Sequence, residues 1–200
     1  MVRARKETSP RLDSVEPPVI FAANHTSNLD TAGVFAALPY PWRRRLAPAM
    51  MKEQFRPHFE PDQFSFLEVW QWRLAYIAAC IIFNTYPLPQ VMAGARRALR
   101  YTGTLVTRGY CPLVFPEGRR TTNGQMLPFR PGIGMMAVQL RVPVVPIHIQ
   151  GLFEVYSIHD SWPKRGPVRI TIGQPVEFPP GAKYEDTAAA VQQAVAALVS

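Results

Sequence analysis

Two residues near the start of the chain, His25 and Asp30, could act together as a proton-transfer pair. They follow a short apolar run, residues 19–23, and lie five positions apart. On a continuous helix this spacing would turn the two side chains about 140° away from each other. They can meet only if His25 precedes a helix and Asp30 lies in its first turn. The carboxylate would then accept a hydrogen bond from one imidazole nitrogen, and the other nitrogen could take a proton.

A second polar cluster follows another apolar run and places charge on a tight turn. Residues 115–121 have the sequence Phe-Pro-Glu-Gly-Arg-Arg-Thr, and the charged members are Glu117, Arg119 and Arg120. Open α/β sheets bind ligands beyond the carboxyl ends of their strands, and guanidinium groups there can hold a phosphate bidentately. The alternatives are an ordinary solvated turn here and, for His25 and Asp30, separate contacts in a turn.

Strand-like and helix-like segments alternate along the chain, which predicts an α/β fold with a central, mostly parallel sheet flanked by helices. Residues 42–66 show no regular pattern. The predicted strands are 19–23, 111–115, 143–149 and 168–172, and the predicted helices are 31–38, 68–82, 91–108, 132–140 and 186–198.

Length and composition fit a single domain with a short tail. The chain has 200 residues, of which 48% are hydrophobic and 18% charged, and this excludes disorder of the whole chain. Residues 1–14 are polar without periodicity and are predicted to form a flexible basic tail, and residues 15–200 a single domain.

The longest apolar run, residues 74–83, is too short to cross a bilayer. The first residues lack the apolar centre of a secretory signal, so we expect a cytoplasmic protein.

The chain carries a net charge of +8, which favours an anionic partner such as phospholipid headgroups, a phosphorylated ligand or nucleic acid. No nucleic-acid-binding motif is present, so nucleic acid is not expected. The two Cys and four His residues do not occur at metal-ligand spacing. No metal site is therefore predicted.

Three motifs in chain order resemble those of the glycerophospholipid acyltransferase family, which includes the 1-acylglycerol-3-phosphate acyltransferases. They are His25 with Asp30, residues 115–121, and residues 142–147, Val-Pro-Val-Val-Pro-Ile. The resemblance covers residues 19–151 and implies an acyltransferase-like domain. It implies that His25 is the general base, that Asp30 orients it, and that Glu117, Gly118 and Arg120 bind the acceptor phosphate. Arg119 stands where the family usually has Thr, and we include this added charge in the predicted substrate-binding site.

The resemblance also implies a reaction and its partners. A fatty acyl group would pass from a thioester, acyl-CoA or acylated acyl carrier protein, to a hydroxyl of a lysophospholipid-like acceptor, with no resident cofactor. No Ser or Cys lies in a Gly-x-Ser-x-Gly context, so we expect direct attack by the acceptor. Residues 81–90 lack the Arg found in the phosphatidate-forming members. A different acceptor hydroxyl is therefore an alternative.

Basic and aromatic residues occur together in two segments and favour peripheral contact with an anionic membrane, on its inner face. One segment contains Tyr40, Trp42 and three Arg at 43–45, and the other contains Trp70 and Trp72. Core tryptophans and a solvated Arg loop are the alternative interpretation. An alternative function is a non-catalytic, membrane-associated lipid-binding module on the same fold.

Overall fold

A computed structural model describes residues 4–5, 12, 15–51, 56–88 and 95–199 of the chain. Within these residues, seven strands form one sheet in the order β1-β7-β6-β2-β5-β3-β4. All neighbouring strands are parallel except β6 and β7, which are antiparallel. The strands are β1 (Ala4–Arg5), β2 (Ile20–Ala23), β3 (Leu46–Met51), β4 (Tyr86–Leu88), β5 (Cys111–Val114), β6 (Val144–Gln150) and β7 (Val168–Ile172).

Helices connect these strands and cover both faces of the sheet, so the predicted α/β architecture is confirmed. A short 3₁₀ turn, Pro61–Gln63, precedes the longest helix. The helices are α1 (Asp30–Ala37), α2 (Tyr40–Arg43), α3 (Arg56–Phe59), α4 (Phe66–Phe83), α5 (Ala95–Thr107), α6 (Gly132–Leu140), α7 (Leu152–Val155) and α8 (Tyr184–Ala196).

Side chains of the central strand β2 alternate between two apolar cores, one on each face of the sheet. Phe21 packs in a cluster with Val34 of α1, whereas Ile20 packs in a cluster with Ile133 of α6. Every residue of β2 is buried. A strand covered on both faces needs apolar residues at every position, which explains why its sequence shows a continuous apolar run.

The four predicted strands are confirmed, and the predicted helices are confirmed with shifts of a few residues at their ends. The helix expected at 91–108 is observed from Ala95 onward, and residues 91–94 lie outside the described residues. The last helix starts at Tyr184, two residues before its predicted start.

The prediction of irregular structure over residues 42–66 was wrong, because this stretch contains strand β3 as well as the short helix α3. Leu46 and Ala47 are buried and pair with β5 in register. Pro48 lies in the middle of β3. Proline has no N–H to donate to a sheet, so its presence argued against a strand that forms here by pairing with β5 on one side and β4 on the other.

Three residues of the predicted tail are described, and all three contact the domain. Ala4 and Arg5 form β1, which pairs with β7. Leu12 is 4% exposed and belongs to the core cluster of Phe21. The other residues before position 15 lie outside the described residues, and the division into tail and domain stays a prediction.

The aromatic residues that we expected at a membrane surface differ in their surroundings. Trp42 packs edge-on against Phe21 with the ring centroids 5.7 Å apart, so the expectation was wrong for this residue. Trp72 is half-buried. Tyr40 and Trp70 are 69% and 49% exposed, as a surface contact requires.

Candidate active site

His25 and Asp30 are in contact at the carboxyl end of β2. Nδ1 of His25 lies 2.8 Å from Oδ2 of Asp30. The Asp30 side chain is fully buried, and 17% of the His25 side chain is exposed. The contact forms because β2 ends at Ala23 and α1 begins at Asp30, so His25 precedes the helix and Asp30 starts it. This is the arrangement that the five-residue spacing requires.

The loop between β2 and α1 holds the Asp30 carboxylate in place. The backbone N–H groups of Thr26 and Ser27 donate to Oδ2 over 2.6 and 2.8 Å, and the Thr26 hydroxyl donates to Oδ1 over 3.1 Å. A carboxylate only accepts hydrogen bonds, so this contact suits the neutral imidazole tautomer that carries its proton on Nδ1. In that tautomer Nε2 has a free lone pair, which is what a general base needs.

The second predicted cluster lies on a tight turn after β5. The N–H of Gly118 donates to the carbonyl of Phe115 over 3.0 Å, and Gly118 has φ of +72°. That conformation costs residues other than glycine roughly 1–2 kcal/mol. Because β5 pairs with β2 in parallel, the turn and His25 lie together at the carboxyl ends of these two strands. The imidazole of His25 stacks on the ring of Phe115, with the centroids 4.2 Å apart.

Glu117 connects the two clusters through a hydrogen bond to the backbone of His25. Its side chain is 3% exposed. Oε1 accepts from the backbone N–H of His25 over 2.8 Å, and Oε2 accepts from the N–H of Leu127 over 3.0 Å. Burial raises the pKa of Glu117 to about 7, although the two backbone hydrogen bonds lower it. Glu117 thus fixes the backbone that carries the base, and its predicted part in acceptor binding stays a prediction.

The two arginines of the turn have different surroundings. The guanidinium of Arg120 donates to the side-chain oxygen of Asn28, so it connects the turn to the loop that carries His25. Arg119 is exposed, and it makes no hydrogen bond or ion pair with any residue that the structure describes. Both bring positive charge to the turn after β5, and both have N–H groups that could donate to a phosphate.

Comparison with known protein families decides how this arrangement is classified. The model of the family described as "Acyltransferase" matches residues 2–150, a span that contains both clusters. The chain belongs to the acyltransferase family.

Sequence relatives of this chain include 1-acyl-sn-glycerol-3-phosphate acyltransferase alpha from mouse and human. The mouse protein is 33% identical over 142 residues, which is 70% of this chain and 43% of the relative. The human protein is 27% identical over 161 residues, which is 80% of this chain and 50% of the relative. The chain thus spans about half the length of the curated relatives it matches.

A solved structure shares the fold of this chain. It is the crystal structure of the 1-acyl-sn-glycerophosphate (LPA) acyltransferase PlsC from Thermotoga maritima. Its TM-score is 0.64 at 23% sequence identity, and the match covers 92% of this chain and 66% of that chain. The acyltransferase-like fold that the motifs implied is therefore confirmed.

Two further residues support the candidate site, and the sequence did not identify them. Asn24 is 3% exposed at the end of β2. Its side-chain amide donates to the carbonyl of Ile149 over 2.9 Å, and its side-chain oxygen accepts from the N–H of Ile149 over 2.7 Å. The position of Asn24 beside His25 was visible in the sequence, but its partner on β6 depends on the strand order.

Arg130 is the second such residue and brings a third guanidinium to the turn. Its backbone N–H donates to the carbonyl of Pro116 over 2.9 Å. A Cβ atom added to Gly118 would lie 2.7 Å from Nε of Arg130, so this side chain lies directly over the glycine. Glycine at position 118 therefore serves both the turn and the close approach of Arg130.

In the part of the chain that the structure describes, no group of three or more His, Cys, Asp or Glu residues could hold a metal ion. No helix among the described residues is both long and apolar enough to span a bilayer.

Proposed function

We propose that this protein is an O-acyltransferase that moves a fatty acyl group from a thioester to a hydroxyl of a lysophospholipid-like acceptor. The observation that carries the proposal is the 2.8 Å contact between Nδ1 of His25 and Oδ2 of Asp30. It lies at the carboxyl ends of the strands, where Arg120 bonds the same loop. The names of the mammalian relatives, which are lysophosphatidate-type acyltransferases, support the same class of reaction.

In the proposed reaction, Nε2 of His25 takes the proton of the acceptor hydroxyl as its oxygen attacks the thioester carbonyl. The carbonyl oxygen becomes an oxyanion, and a tetrahedral intermediate forms. The carbon–sulfur bond then breaks, the ester is released, and the thiolate takes the proton from the imidazolium. Asp30 stabilises that imidazolium and holds the ring in one orientation. Neither step needs a nucleophilic side chain or a resident cofactor.

The acceptor phosphate is proposed to lie against the guanidinium groups of the turn. Asn28 holds Arg120 toward the loop of His25, which places this charge close to the base. Arg119 is exposed and can approach the same anion from solvent, and Arg130 lies over Gly118. Several guanidinium groups around one phosphate fix both its position and its orientation. The acceptor hydroxyl would then be presented to Nε2 of His25.

The donor is proposed to be acyl-CoA or an acylated acyl carrier protein, because the basic chain suits the phosphate that both carry. Two chemical classes of acceptor are proposed, a lysophospholipid and a non-phosphorylated lipid alcohol. The segment of residues 81–90 has no Arg. In the structure Asn84 ends α4 in a left-handed conformation, and its side chain donates to the carbonyl of Leu46 over 3.3 Å. A non-phosphorylated lipid alcohol is therefore tested beside lysophosphatidate.

We propose that the protein acts at the inner face of the membrane.

The proposal is tested by measuring thiol release from acyl-CoA by the purified full chain. Acceptors are lysophosphatidate, lysophosphatidylcholine and a long-chain alcohol, each against a blank. We expect acceptor-dependent release, with a loss of about 10²-fold or more in His25→Ala. His159→Ala is the matched control, because this exposed imidazole bonds only the carbonyl of Thr122 among the described residues. Release without acceptor would identify a thioester hydrolase, and no release with any acceptor would favour the non-catalytic lipid-binding module.

A further inference from the structure

Helix α4 exposes a continuous row of large apolar side chains. Each of them is roughly half exposed or more, whereas such residues are usually buried in a globular domain. The members of this row are Phe66 (78% exposed), Leu67 (72%), Trp70 (49%), Leu74 (60%), Ile77 (49%) and Ile81 (78%). We name these six residues the α4 stripe.

The six positions of the α4 stripe lie on one side of the helix. At about 100° of rotation per residue, they fall within an arc of roughly 100°. The stripe also runs from the first turn of α4 to its last, because Phe66 begins the helix and Ile81 lies two residues before its end. A contiguous exposed apolar surface of this kind marks an interaction site on soluble proteins.

The rest of the molecule already occupies another side of α4. Val69 is 8% exposed, and Trp72, Tyr76 and Cys80 are partly buried. This side packs against α3 and β3. The helix is thus anchored on one side, while the α4 stripe faces away from the protein.

The α4 stripe has the geometry of a helix that lies in a membrane surface. Its 18 residues give a length of about 27 Å, parallel to a surface when the stripe faces lipid. A capping box between Ser65 and Glu68 stabilises the N-terminal end. Trp70 is the residue type that prefers the headgroup region, and Leu74, Ile77 and Ile81 suit the acyl-chain boundary.

The positive charge of the chain lies mostly in the sequence segment that contains this helix. Residues 40–108 contain ten Lys and Arg against four Asp and Glu, a net charge of +6 of the +8 carried by the whole chain. This segment is about a third of the sequence. Arg73 is exposed on α4 itself. An anionic surface is complementary to a chain with a net charge of +8 and an exposed Arg73 on this helix, whereas a second copy of the chain carries the same charge and would be repelled.

We infer that the α4 stripe docks the protein on the surface of an anionic lipid bilayer, with the apolar side chains in the headgroup and acyl-chain boundary. The inference rests on the proposed action at the membrane and names the surface that makes the contact, and docking is measured without turnover. A protein that docks but does not transfer, or that transfers but does not dock, separates the two proposals.

The test is sedimentation of the full chain with vesicles of phosphatidylglycerol and phosphatidylcholine. The double variant Leu74→Glu/Ile81→Glu puts two charges into the α4 stripe. We expect its vesicle partition coefficient to fall at least about tenfold. The matched control is Gln71→Glu/Ala75→Glu, which adds the same charge at exposed positions of α4 outside the stripe. We expect this control to retain most of the binding, and unchanged thermal unfolding shows that both variants fold.

Trp70 supplies a second readout, taken as the emission that Trp70→Phe removes, because Trp42 and Trp72 also emit. Both proteins carry Trp162→Phe, because Trp162 is 82% exposed and would obscure the signal. A blue shift of the Trp70 emission on vesicles is expected, and it is expected to be absent in the stripe variant. Equal loss of binding in both Glu pairs would overturn the inference, because charge alone would then explain the binding. It is also overturned if the wild type does not bind vesicles. A dimer that light scattering detects in the wild type and not in the stripe variant would then identify a second copy as the partner.

Discussion

At the scale of single residues, the two buried carboxyl groups of the site differ in how many hydrogen bonds they accept. Asp30 accepts hydrogen bonds from two backbone N–H groups, a hydroxyl and the imidazole. Glu117 has only two backbone donors for its buried carboxyl group. Burial therefore dominates at Glu117 and raises its pKa to about 7, from an ordinary value of 4.5.

This raised pKa predicts a pH-dependent contribution of Glu117 to stability. The folded protein holds the proton more tightly than the unfolded chain, so the contribution is complete below about pH 4.5 and is lost as pH rises through about 7. The shift corresponds to up to about 3 kcal/mol. In Glu117→Gln, which does not titrate, we expect the free energy of unfolding to fall less between pH 5 and pH 8 than in the wild type. Urea denaturation at both pH values measures this, and parallel changes in the two proteins would contradict it.

At the scale of elements, a glycine determines how closely two helices pack beside each other. Helices α6 and α8 lie side by side over the face that contains Ile20. A Cβ atom at Gly134 of α6 would lie 2.1 Å from the backbone carbonyl oxygen of Tyr184 at the start of α8. Glycine at this position therefore sets the distance between the two helices.

Gly134→Ala is expected to lower the free energy of unfolding by about 1–3 kcal/mol, because the added methyl group must push α8 away. Gly132→Ala in the same helix is the control. A Cβ atom there would meet nothing within 4 Å, and alanine favours the helical conformation by up to about 1 kcal/mol. Chemical denaturation of both variants checks the prediction. Similar effects of the two substitutions would show that the contact between α6 and α8 is looser than the structure indicates.

At the scale of the whole molecule, the uneven charge predicts how vesicle binding responds to salt. Residues 40–108 carry +6 of the net +8. Raising NaCl from about 0.05 to about 0.5 M shortens the Debye length from roughly 14 Å to roughly 4 Å. Binding to phosphatidylglycerol vesicles is expected to weaken at least about tenfold, measured by sedimentation. Weak binding to pure phosphatidylcholine should not change, and salt-independent binding to anionic vesicles would contradict the role of the charge.

How much of the molecule the sequence could predict depends on how local each contact is. The contact of His25 with Asp30 was predictable, because five residues of chain determine it. The bond from Glu117 to the backbone of His25 was not, because it requires β2 and β5 to be neighbours. Both clusters were nevertheless recognised, since each follows an apolar strand.

The packing side of each helix was harder to predict than the helix itself. The pattern predicted α4 correctly, but it did not show that Trp70 faces outward while Trp72 is half-buried. Trp42 likewise lies among basic residues in the sequence and packs against Phe21 in the structure. Burial of such residues follows from tertiary packing, which a local pattern does not contain.

The peptide groups on both sides of His25 are held by the distant turn. The N–H donates to Glu117, and the carbonyl accepts from the N–H of Thr121 over 3.0 Å. The His25 amide can therefore exchange with deuterium only when the two clusters separate. Its exchange rate reports how often the base and the basic turn come apart in solution, and a ligand that bridges them should slow it.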